Sequence, residues 1–253
     1  MKTYQITFSP TGGTMKVSDI LTSALGGEII QVDLINSKTD YNSVELTQDD
    51  IAVIAVPSYG GRVPAVAGKR LKMINGNGAR AVLICVYGNR AYEDTLIELQ
   101  DIAKQSNYKV IAAVTAIAEH SIVRKFATGR PDSNDSNRLS EFAEQIHKKI
   151  ISGDTNEPAI PGNRPYKKAG VAGMVPKPTR DCIKCDICAT ECPVQAIDYN
   201  NPKKVNSNIC ISCMRCVSVC PHSARKASPL MLSAAGLMLK KVCSVRKECE
   251  LFL

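Results

Sequence analysis

The sequence contains no Trp, and aromatic residues make up only 5% of its 253 positions. Any ring-stacking role must therefore fall to Tyr or Phe. The chain also lacks an apolar run of the roughly 18 residues that a membrane-spanning helix needs. Residues 1–14 lack the basic start, the apolar run and the small-residue cleavage site of a secretory signal. These absences predict a cytoplasmic protein without a membrane span.

Cysteine is almost missing from the first part of the chain. Of 11 Cys residues, only Cys85 precedes residue 182, and the other ten lie between Cys182 and Cys249. Because the cytosol keeps thiols reduced, so many Cys residues indicate metal or redox chemistry rather than a disulfide framework. The abrupt change in composition predicts two domains.

Acidic residues are scarce in the Cys-rich half. From residue 160 onward, 15 Lys and Arg residues face 6 Asp and Glu residues, whereas the preceding residues carry 17 against 18. A basic surface of this kind favours an acidic redox partner protein. Nucleic acid is the competing partner, but the basic residues are scattered without interleaved aromatic residues, so we predict no nucleic-acid binding.

Strand and helix patterns alternate over residues 1–151. Uninterrupted apolar runs are typical of strands buried on both faces, and segments with helical spacing of apolar residues lie between them. The predicted strands are Thr3–Phe8, Glu28–Leu34, Ile51–Val56, Ala81–Val86 and Val110–Ile117, and the predicted helices are Thr14–Leu25, Ala65–Met73, Tyr92–Lys104 and Arg138–Ile151. This order predicts an α/β fold, a flavodoxin-like doubly wound parallel sheet of five strands.

The remaining chain divides into three parts. Residues 152–180 contain five Pro residues and read as a linker that wraps or spaces. Residues 181–227 hold the densest Cys pattern. Residues 228–253 form a tail with a predicted helix over Pro229–Lys241.

Two Cys runs carry the strongest motif. Cys182, Cys185, Cys188 and Cys192-Pro193 match C-x₂-C-x₂-C-x₃-C-P, and Cys210, Cys213, Cys216 and Cys220-Pro221 match it again. In such pairs of runs, three thiolates hold one [4Fe–4S] cluster and the fourth Cys completes the other. One cluster is therefore predicted on Cys182, Cys185, Cys188 and Cys220, and the other on Cys210, Cys213, Cys216 and Cys192.

Zinc is the alternative, because C-x₂-C pairs also bind Zn²⁺. Two overlapping four-Cys runs that each end in Cys-Pro are not zinc-ribbon spacing, so we favour iron. The segment Asp181–Ala227 resembles bacterial two-cluster ferredoxins, which implies a small α+β domain.

A glycine loop follows the first predicted strand and opens the first predicted helix. At such a position backbone N–H groups and the helix dipole favour an anion, and the loop has no Lys and is therefore not a Walker A motif. It resembles the FMN-phosphate loop of flavodoxins, which implies phosphate contacts from Ser9, Thr11, Gly12, Gly13 and Thr14. An ordinary Thr-rich helix cap is the alternative.

Two further loops follow the third and fourth predicted strands, at the edge where ligands bind in such sheets. Both resemble the loops that flank the isoalloxazine ring of FMN in flavodoxins. The resemblance implies flavin contacts from Pro57, Ser58, Tyr59, Gly60, Gly61, Tyr87, Gly88, Asn89 and Tyr92, with Tyr59 stacked on the ring. The missing Trp, which many flavodoxins stack on the flavin, leaves the stacking residue open, and plain glycine turns are the alternative.

Few residues are candidates for acid–base chemistry. His120 follows the last predicted strand and Arg62 follows Gly61, so both are assigned to the same edge as tentative catalytic residues. A loop histidine is the simpler interpretation of His120. Cys243 and Cys249 are six positions apart, which on a helix is about 240°, so they are interpreted as free thiols.

Taken as a whole, the chain resembles the fused flavodoxin-like and two-cluster ferredoxin proteins of anaerobic prokaryotes. The resemblance implies an electron-transfer oxidoreductase that passes electrons between FMN and two [4Fe–4S] clusters. Two alternatives are an FMN-dependent reductase of a small molecule, and a flavin-free ferredoxin whose sheet domain docks a partner.

Overall fold

Five parallel strands form the centre of the first part of the chain. The computed structural model describes residues 1–170 and 173–253. The strands are β1 (Lys2–Thr7), β2 (Glu28–Asp33), β3 (Ile51–Pro57), β4 (Arg80–Tyr87) and β5 (Lys109–Ile117). They lie in the order β2-β1-β3-β4-β5, which is the flavodoxin-like order of a doubly wound sheet. The predicted fold class is therefore confirmed.

Helices cover both faces of the sheet, because β3 and β4 are apolar on both sides. On one face, α1 (Gly13–Leu25) packs beside α4 (Ser133–Ile151) through residues such as Leu21 and Phe142. On the other face, α2 (Ala65–Leu71) and α3 (Thr95–Gln105) bury Leu71 and Leu99. The carboxyl ends of the strands and the loops that follow them remain as the edge for a ligand.

Two helices begin at positions that differ from the prediction. Helix α3 begins at Thr95, because the left-handed φ of 46° at Glu93 keeps the preceding turn out of the helix. Helix α4 begins at Ser133, five residues before the predicted Arg138. Asp132 and Asp135 form a reciprocal capping box there, which supports a polar first turn.

A sixth strand, absent from the prediction, comes from the C-terminal tail. Strand β8 (Glu250–Phe252) pairs antiparallel with β5. The backbone groups along an exposed edge of β5 need partners, and the tail supplies them. The five-stranded description and the purely helical description of residues 228–253 are corrected accordingly: α7 (Pro229–Cys243) is followed by a strand of the first domain's sheet.

The Pro-rich stretch runs along α3 before it reaches the Cys-rich segment. Arg164 Nε donates to Asp101 at 2.8 Å, and Lys167 N donates to Asp94 at 2.7 Å. Further on, β6 (Lys177–Pro178) pairs antiparallel with β7 (Arg225–Lys226). The stretch therefore wraps on one domain and contributes a strand to the other.

The Cys-rich segment also contains two short helices, α5 (Ile187–Thr190) and α6 (Arg215–Ser218). Within the described ranges, no helix combines the length and the apolar character that crossing a bilayer requires.

Candidate functional site

The Cys-rich segment, residues 181–227, consists of two halves that repeat at an offset of 28 residues. Cys182 and Cys210 begin the two runs, and α5 and α6 lie at the same offset. Residues with positive φ also recur at this offset in pairs: Lys184 with Ser212, Asp186 with Met214, and Gln195 with Ser223. The repeated turns give both runs the same backbone course around their thiols.

Each run surrounds a small cavity. Cys182, Cys185, Cys188 and Cys220 line one cavity, and we name them the first Cys group. Cys192, Cys210, Cys213 and Cys216 line the other, and we name them the second Cys group. Each group combines three thiols of one run with the fourth of the other run. The structure thus brings the eight residues together in two sets of four.

The fourth Cys of each run accepts a backbone hydrogen bond at its sulfur. Ala196 N donates to Cys192 Sγ at 3.3 Å, and Ala224 N donates to Cys220 Sγ at 3.2 Å. An N–H group directed at sulfur favours the thiolate, and hydrogen bonds to sulfur raise the potential of a bound cluster. The fourth Cys of each run is therefore placed in surroundings that suit negatively charged sulfur.

Burial lowers the acidity of two thiols in the second Cys group. It raises the pKa of Cys213 to about 12 and that of Cys216 to about 11. These thiols hold their protons at neutral pH until a metal displaces them. Among residues 1–170 and 173–253, no three His, Cys, Asp or Glu side chains are placed to hold a single metal ion. Four soft thiol donors around each cavity are the donor set of iron–sulfur clusters.

A larger cavity of about 300 Å³ opens at the carboxyl edge of the sheet, and we name it the sheet-edge cavity. The loops after β1, β3, β4 and β5 all contribute to it. Its lining includes ten of the predicted site residues: Thr11, Gly13, Thr14, Pro57, Ser58, Tyr59, Gly60, Tyr87, Gly88 and His120. The volume falls at the lower end of the range for small-molecule sites.

The loop after β1 presents the N-terminus of α1 to this cavity. Gly12 precedes the helix with φ 88°, and as a glycine it has no side chain that could cap the first turn. Ser9 Oγ is turned inward, where it accepts from Met15 N at 2.8 Å. Neither Ser9 nor Gly12 lines the cavity; Gly13 and Thr14 do. The first turn thus offers backbone N–H groups to an anion.

The loop after β3 is a tight hairpin turn. Tyr59 N donates to Arg62 O at 3.0 Å, and Arg62 N donates to Tyr59 O at 3.2 Å. Gly60 and Gly61 have φ of 61° and 83°, a combination that favours glycine at both positions. Gly60 lines the cavity, whereas Gly61 faces Glu93, whose carboxylate fills the space that a Cβ would need.

Arg62 lies away from the sheet-edge cavity. Its guanidinium donates to Glu98 at 2.7 and 2.8 Å and to Lys167 O at 2.6 Å. The side chain therefore fastens the Pro-rich stretch to α3. Arg62 thus makes structural contacts with α3 and the Pro-rich stretch and does not line the sheet-edge cavity.

The loop after β4 is held by the C-terminal tail. Asn89 Nδ2 donates to Cys243 O and Val245 O, both at 2.8 Å, and Asn89 Oδ1 accepts from Lys247 N at 3.1 Å. Tyr92 Oη donates to Glu250 at 3.1 Å. Tyr87 and Gly88 thus line the cavity. Asn89 and Tyr92 lie outside its lining and hold the loop through their hydrogen bonds to the tail.

A buried ion pair extends this contact, and the sequence patterns did not indicate it. Arg130 pairs with Asp135, and both side chains are almost completely buried. Arg130 also donates to Lys247 O at 2.7 Å, and Arg246 donates to Asp132 at 2.6 Å. The tail is rich in charged residues, but the sequence does not indicate which residues of the sheet domain they contact.

His120 is held in one tautomer at the edge of the sheet-edge cavity. Its Nδ1 accepts from Ile122 N at 3.2 Å and from Val123 N at 3.1 Å, so the neutral ring carries its proton on Nε2. Burial lowers the pKa of His120. A Cβ on residue 88 would lie 2.7 Å from the ring, so Gly88 makes room for it.

The second Cys group lies next to the sheet-edge cavity. Ile211 and Ser212, which separate Cys210 from Cys213, line that cavity together with the strand loops. Burial raises the pKa of Tyr59 strongly, and the nearby Cys213 thiol raises it further. Tyr59 therefore lines the cavity and lies near Cys213 of the second Cys group.

Further contacts join the two domains at the same place. Arg70 Nη2 donates to Pro193 O at 2.7 Å, and Arg215 Nη1 donates to Pro10 O at 3.4 Å. Pro193 follows the fourth Cys of the first run, and Pro10 belongs to the loop after β1. These contacts thus fix the second Cys group relative to the loop after β1.

Comparison with known proteins decides the nature of the Cys-rich segment. The family model of the 4Fe-4S dicluster domain matches residues 181–225. Residues 181–225 are similar to 4Fe-4S dicluster domains, and we name residues 181–227 the dicluster domain. The match supports iron–sulfur clusters and indicates electron transfer.

The dicluster domain is similar to parts of larger proteins. Polyferredoxin protein MvhB of Methanothermobacter thermautotrophicus is 36% identical over 56 residues, which cover 22% of this chain and 14% of the relative. The B subunit of the polysulfide reductase of Wolinella succinogenes is 29% identical over 55 residues, which cover 20% of this chain and 29% of the relative. The chain therefore spans less than a third of the length of either relative.

Solved flavodoxins align with the sheet domain. A flavodoxin of Streptococcus pneumoniae TIGR4 covers 59% of this chain and 99% of its own, with 17% identity and a TM-score of 0.41. Flavodoxin 1 of Bacillus cereus covers 58% and 98%, with 15% identity and a TM-score of 0.44.

Proposed function

We propose that the chain transfers electrons between FMN in the sheet-edge cavity and two [4Fe–4S] clusters in the dicluster domain. The observation that carries the proposal is that Ile211 and Ser212 of the second Cys run line the same cavity as the strand loops. A flavin there would lie against the residues that hold a cluster. FMN would supply two-electron chemistry to a chain of one-electron centres.

The proposed cluster ligands are the two Cys groups. Cys182, Cys185, Cys188 and Cys220 would hold one cluster, and Cys192, Cys210, Cys213 and Cys216 the other. The two four-thiol cavities and the repeat of the surrounding backbone support this assignment. The cluster of the second Cys group would be proximal to FMN, and that of the first Cys group distal.

The proposed FMN contacts follow the lining of the sheet-edge cavity. The open first turn of α1, with Gly13 and Thr14, would bind the phosphate through backbone N–H groups. Tyr59 and Tyr87 would flank the ring. Ser9, Gly12, Gly61, Asn89 and Tyr92, which also belong to the predicted set, would act by shaping the three loops.

An acidic redox partner is proposed for the dicluster domain. A groove on this domain is lined by four Lys residues and one Asp residue: Lys177, Lys203, Lys204, Lys226 and Asp198. A concentration of one sign of charge steers an oppositely charged partner during encounter. The local excess of basic residues therefore has a defined place on the surface.

The composition of the full chain tests the proposal. Protein purified anaerobically should contain about eight irons and eight labile sulfides per chain, as two four-iron clusters require, and about one FMN after heat release. Iron without FMN would leave a ferredoxin whose sheet domain serves another purpose. Zinc in place of iron would remove the electron-transfer function altogether.

A second candidate is an FMN-dependent reductase of a small molecule. The position of His120 favours it, because a neutral imidazole with its proton on Nε2 lines the sheet-edge cavity. Such a group would donate a hydrogen bond from Nε2 to a bound substrate. Turnover of a small oxidant by the reduced chain without an added carrier, and its loss in His120→Ala, would support this candidate.

A further inference from the structure

One cation is buried between the two Cys groups. Arg225 lies five residues after Cys220, and only 2% of it is exposed. Its Nη1 donates to Pro202 O at 2.8 Å and lies 3.6 Å from Cys188 Sγ. The same side chain lines both the cavity of the first Cys group and that of the second.

The guanidinium of Arg225 lacks partners for part of its hydrogen-bonding capacity. Its Nε and Nη2 atoms are buried, and neither has a hydrogen-bond partner in the part of the chain that the structure describes. Among residues 1–170 and 173–253, none of the ion pairs between a basic side chain and a carboxylate contains Arg225. A buried charge without a counter-ion is costly, so an anionic group is required at this place.

The repeat shows that Arg225 is not a packing requirement of the fold. The residue at the same position of the other half, 28 residues earlier, is Ile197. Ile197 is buried as well, but of the two Cys-group cavities it lines that of the second group alone. One half of the domain thus fills this position with an apolar side chain, whereas the other half places a charge between both cavities.

We propose that Arg225 is a positioning residue for both clusters, a shared buried counter-charge that raises their reduction potentials. The inference rests on the proposed function, because it requires clusters in both Cys groups. The Nε–H and Nη2–H groups would donate to cluster or thiolate sulfur, which supplies the partners that the protein itself does not offer.

The charge balance gives the direction of the effect. A four-thiolate [4Fe–4S] cluster has a net charge of −2 when oxidised and −3 after it accepts one electron from a reductant. A fixed positive charge stabilises the more negative state more strongly, and it does so effectively where water is excluded. Hydrogen bonds to sulfur act in the same direction.

The test is an anaerobic potentiometric titration of the full chain, followed by the EPR signals of the reduced clusters. In Arg225→Met, both clusters should be harder to reduce. The reduction equilibrium constant of at least one cluster should fall at least tenfold, which is about 59 mV for one electron, and that of the other should fall in the same direction. Two unchanged potentials would overturn the inference.

Arg180→Met is the matched control, because Arg180 carries the same charge two residues before Cys182 and is exposed. Solvent screens an exposed charge, so this variant should change either equilibrium constant less than about twofold. An equal fall in both variants would show that net charge, and not the buried position, sets the potentials. That result would contradict the proposal.

Iron content separates the possible failures. If the wild-type chain lacks eight irons, the proposed function fails first. If Arg225→Met alone loses iron, Arg225→Gln decides: it removes the charge but keeps N–H donors, so a fall in both potentials supports the inference and unchanged potentials refute it. Loss of iron from both Arg225 variants, with Arg180→Met intact, would show a purely structural role and would also refute it.

Discussion

Cys192 and Cys220 are the two residues that make the dicluster domain a crossed structure. Each belongs in sequence to one run and in space to the cavity of the other. A ligand set of this kind ties the two halves together, since neither cluster can be completed by one run alone. Single substitutions at these positions therefore report on the cluster opposite their own run.

Pairs of Cys→Ser substitutions test the crossed assignment. Cys182 and Cys220 are expected to serve one cluster, so the double variant Cys182→Ser, Cys220→Ser should retain about four of eight irons. Cys182 and Cys192 are expected to serve different clusters, so Cys182→Ser, Cys192→Ser should retain almost none. Iron and sulfide quantification after anaerobic purification measures both.

Cys243→Ser is the control for this series, because Cys243 lies outside both Cys groups, 3.9 Å from Gly88 O. It should leave the iron content unchanged. The reverse pattern, with more iron in the Cys182, Cys192 pair than in the Cys182, Cys220 pair, would show that each run serves its own cluster.

Tyr59 tests the sheet-edge cavity as a flavin site. An aromatic contact contributes about 0.5–1.5 kcal/mol beyond the area that it buries, so Tyr59→Ala should weaken FMN binding about tenfold or more, whereas Tyr59→Phe should retain most of the affinity. Titration of deflavinated protein with FMN, followed by flavin fluorescence, gives the dissociation constants. Tyr199, exposed on the dicluster domain, is the control position: if Tyr199→Ala weakens binding as much, the site is elsewhere.

At the scale of elements, the C-terminal tail is one of the segments that join the two domains. After α7, the tail passes Asn89, pairs with Arg130 and Asp132, and ends as β8 on the sheet. The loop after β4, which presents Tyr87 and Gly88 to the cavity, is therefore held by residues from the far end of the chain.

Asn89→Ala should release the tail. The substitution removes three hydrogen bonds of a buried side chain and leaves backbone carbonyls without donors, a loss of about 2 kcal/mol for the local contact. Amide hydrogen exchange in residues 244–253 should become about 30-fold faster. Mass spectrometry of the peptides measures this.

The exposed residue Asn42, whose side chain donates to Asp40 two residues before it, is the matched control. Asn42→Ala should leave exchange in the tail unchanged. Equal exchange in wild type and Asn89→Ala would contradict the role of Asn89 as the anchor of the tail.

An element could be predicted from the sequence where its own residues carry the pattern that stabilises it. The five parallel strands were predicted to within one or two residues, because runs such as Ile51–Val56 are buried on both faces and carry the pattern themselves. The predicted start of α4 is five residues late, since apolar periodicity is absent from Ser133–Asn137. The capping box at Asp132 and Asp135 is the local signal that marks the true start.

Strand β8 could not be predicted in this way. Glu250–Phe252 is three residues long, too short for a period of two, and it is a strand only because β5 offers it an edge. The same limit applies to the candidate site. The spacing of the Cys residues within each run is enough to predict which thiols lie together. The contacts of Asn89, Tyr92 and Arg62 are made with distant segments, which no local pattern indicates.

At the scale of the whole molecule, the sites lie in sequence along one path. The sheet-edge cavity adjoins the second Cys group across Tyr59 and Ile211. The first Cys group lies on the other side of Arg225. The groove lined by Lys residues shares Ala196, Ile197 and Val205 with the cavity of the second Cys group, so a partner docked there would be near the proposed cluster of that group.

Opposite charges on small oxidants test the electrostatic part of this arrangement. Oxidation of the reduced chain by an anionic cobalt(III) chelate should slow severalfold in Lys203→Glu, Lys204→Glu and should slow as salt increases. A cationic cobalt(III) ammine should show the opposite trend. Stopped-flow absorbance of the clusters measures the rates.

Lys38→Glu, Lys69→Glu changes the net charge equally on the sheet domain and serves as the control. It should alter both rates much less than the substitution in the groove. If the two double variants have the same effect, net charge and not the groove governs the encounter.

The most direct test of the central claim, that one chain couples FMN to two clusters, is an anaerobic reductive titration that counts electrons. The full chain should accept four electrons, two at FMN and one at each cluster, with the flavin and cluster absorbance bands changing in one protein. Uptake of only two electrons without flavin bleaching would contradict the claim, and so would a chain that accepts none.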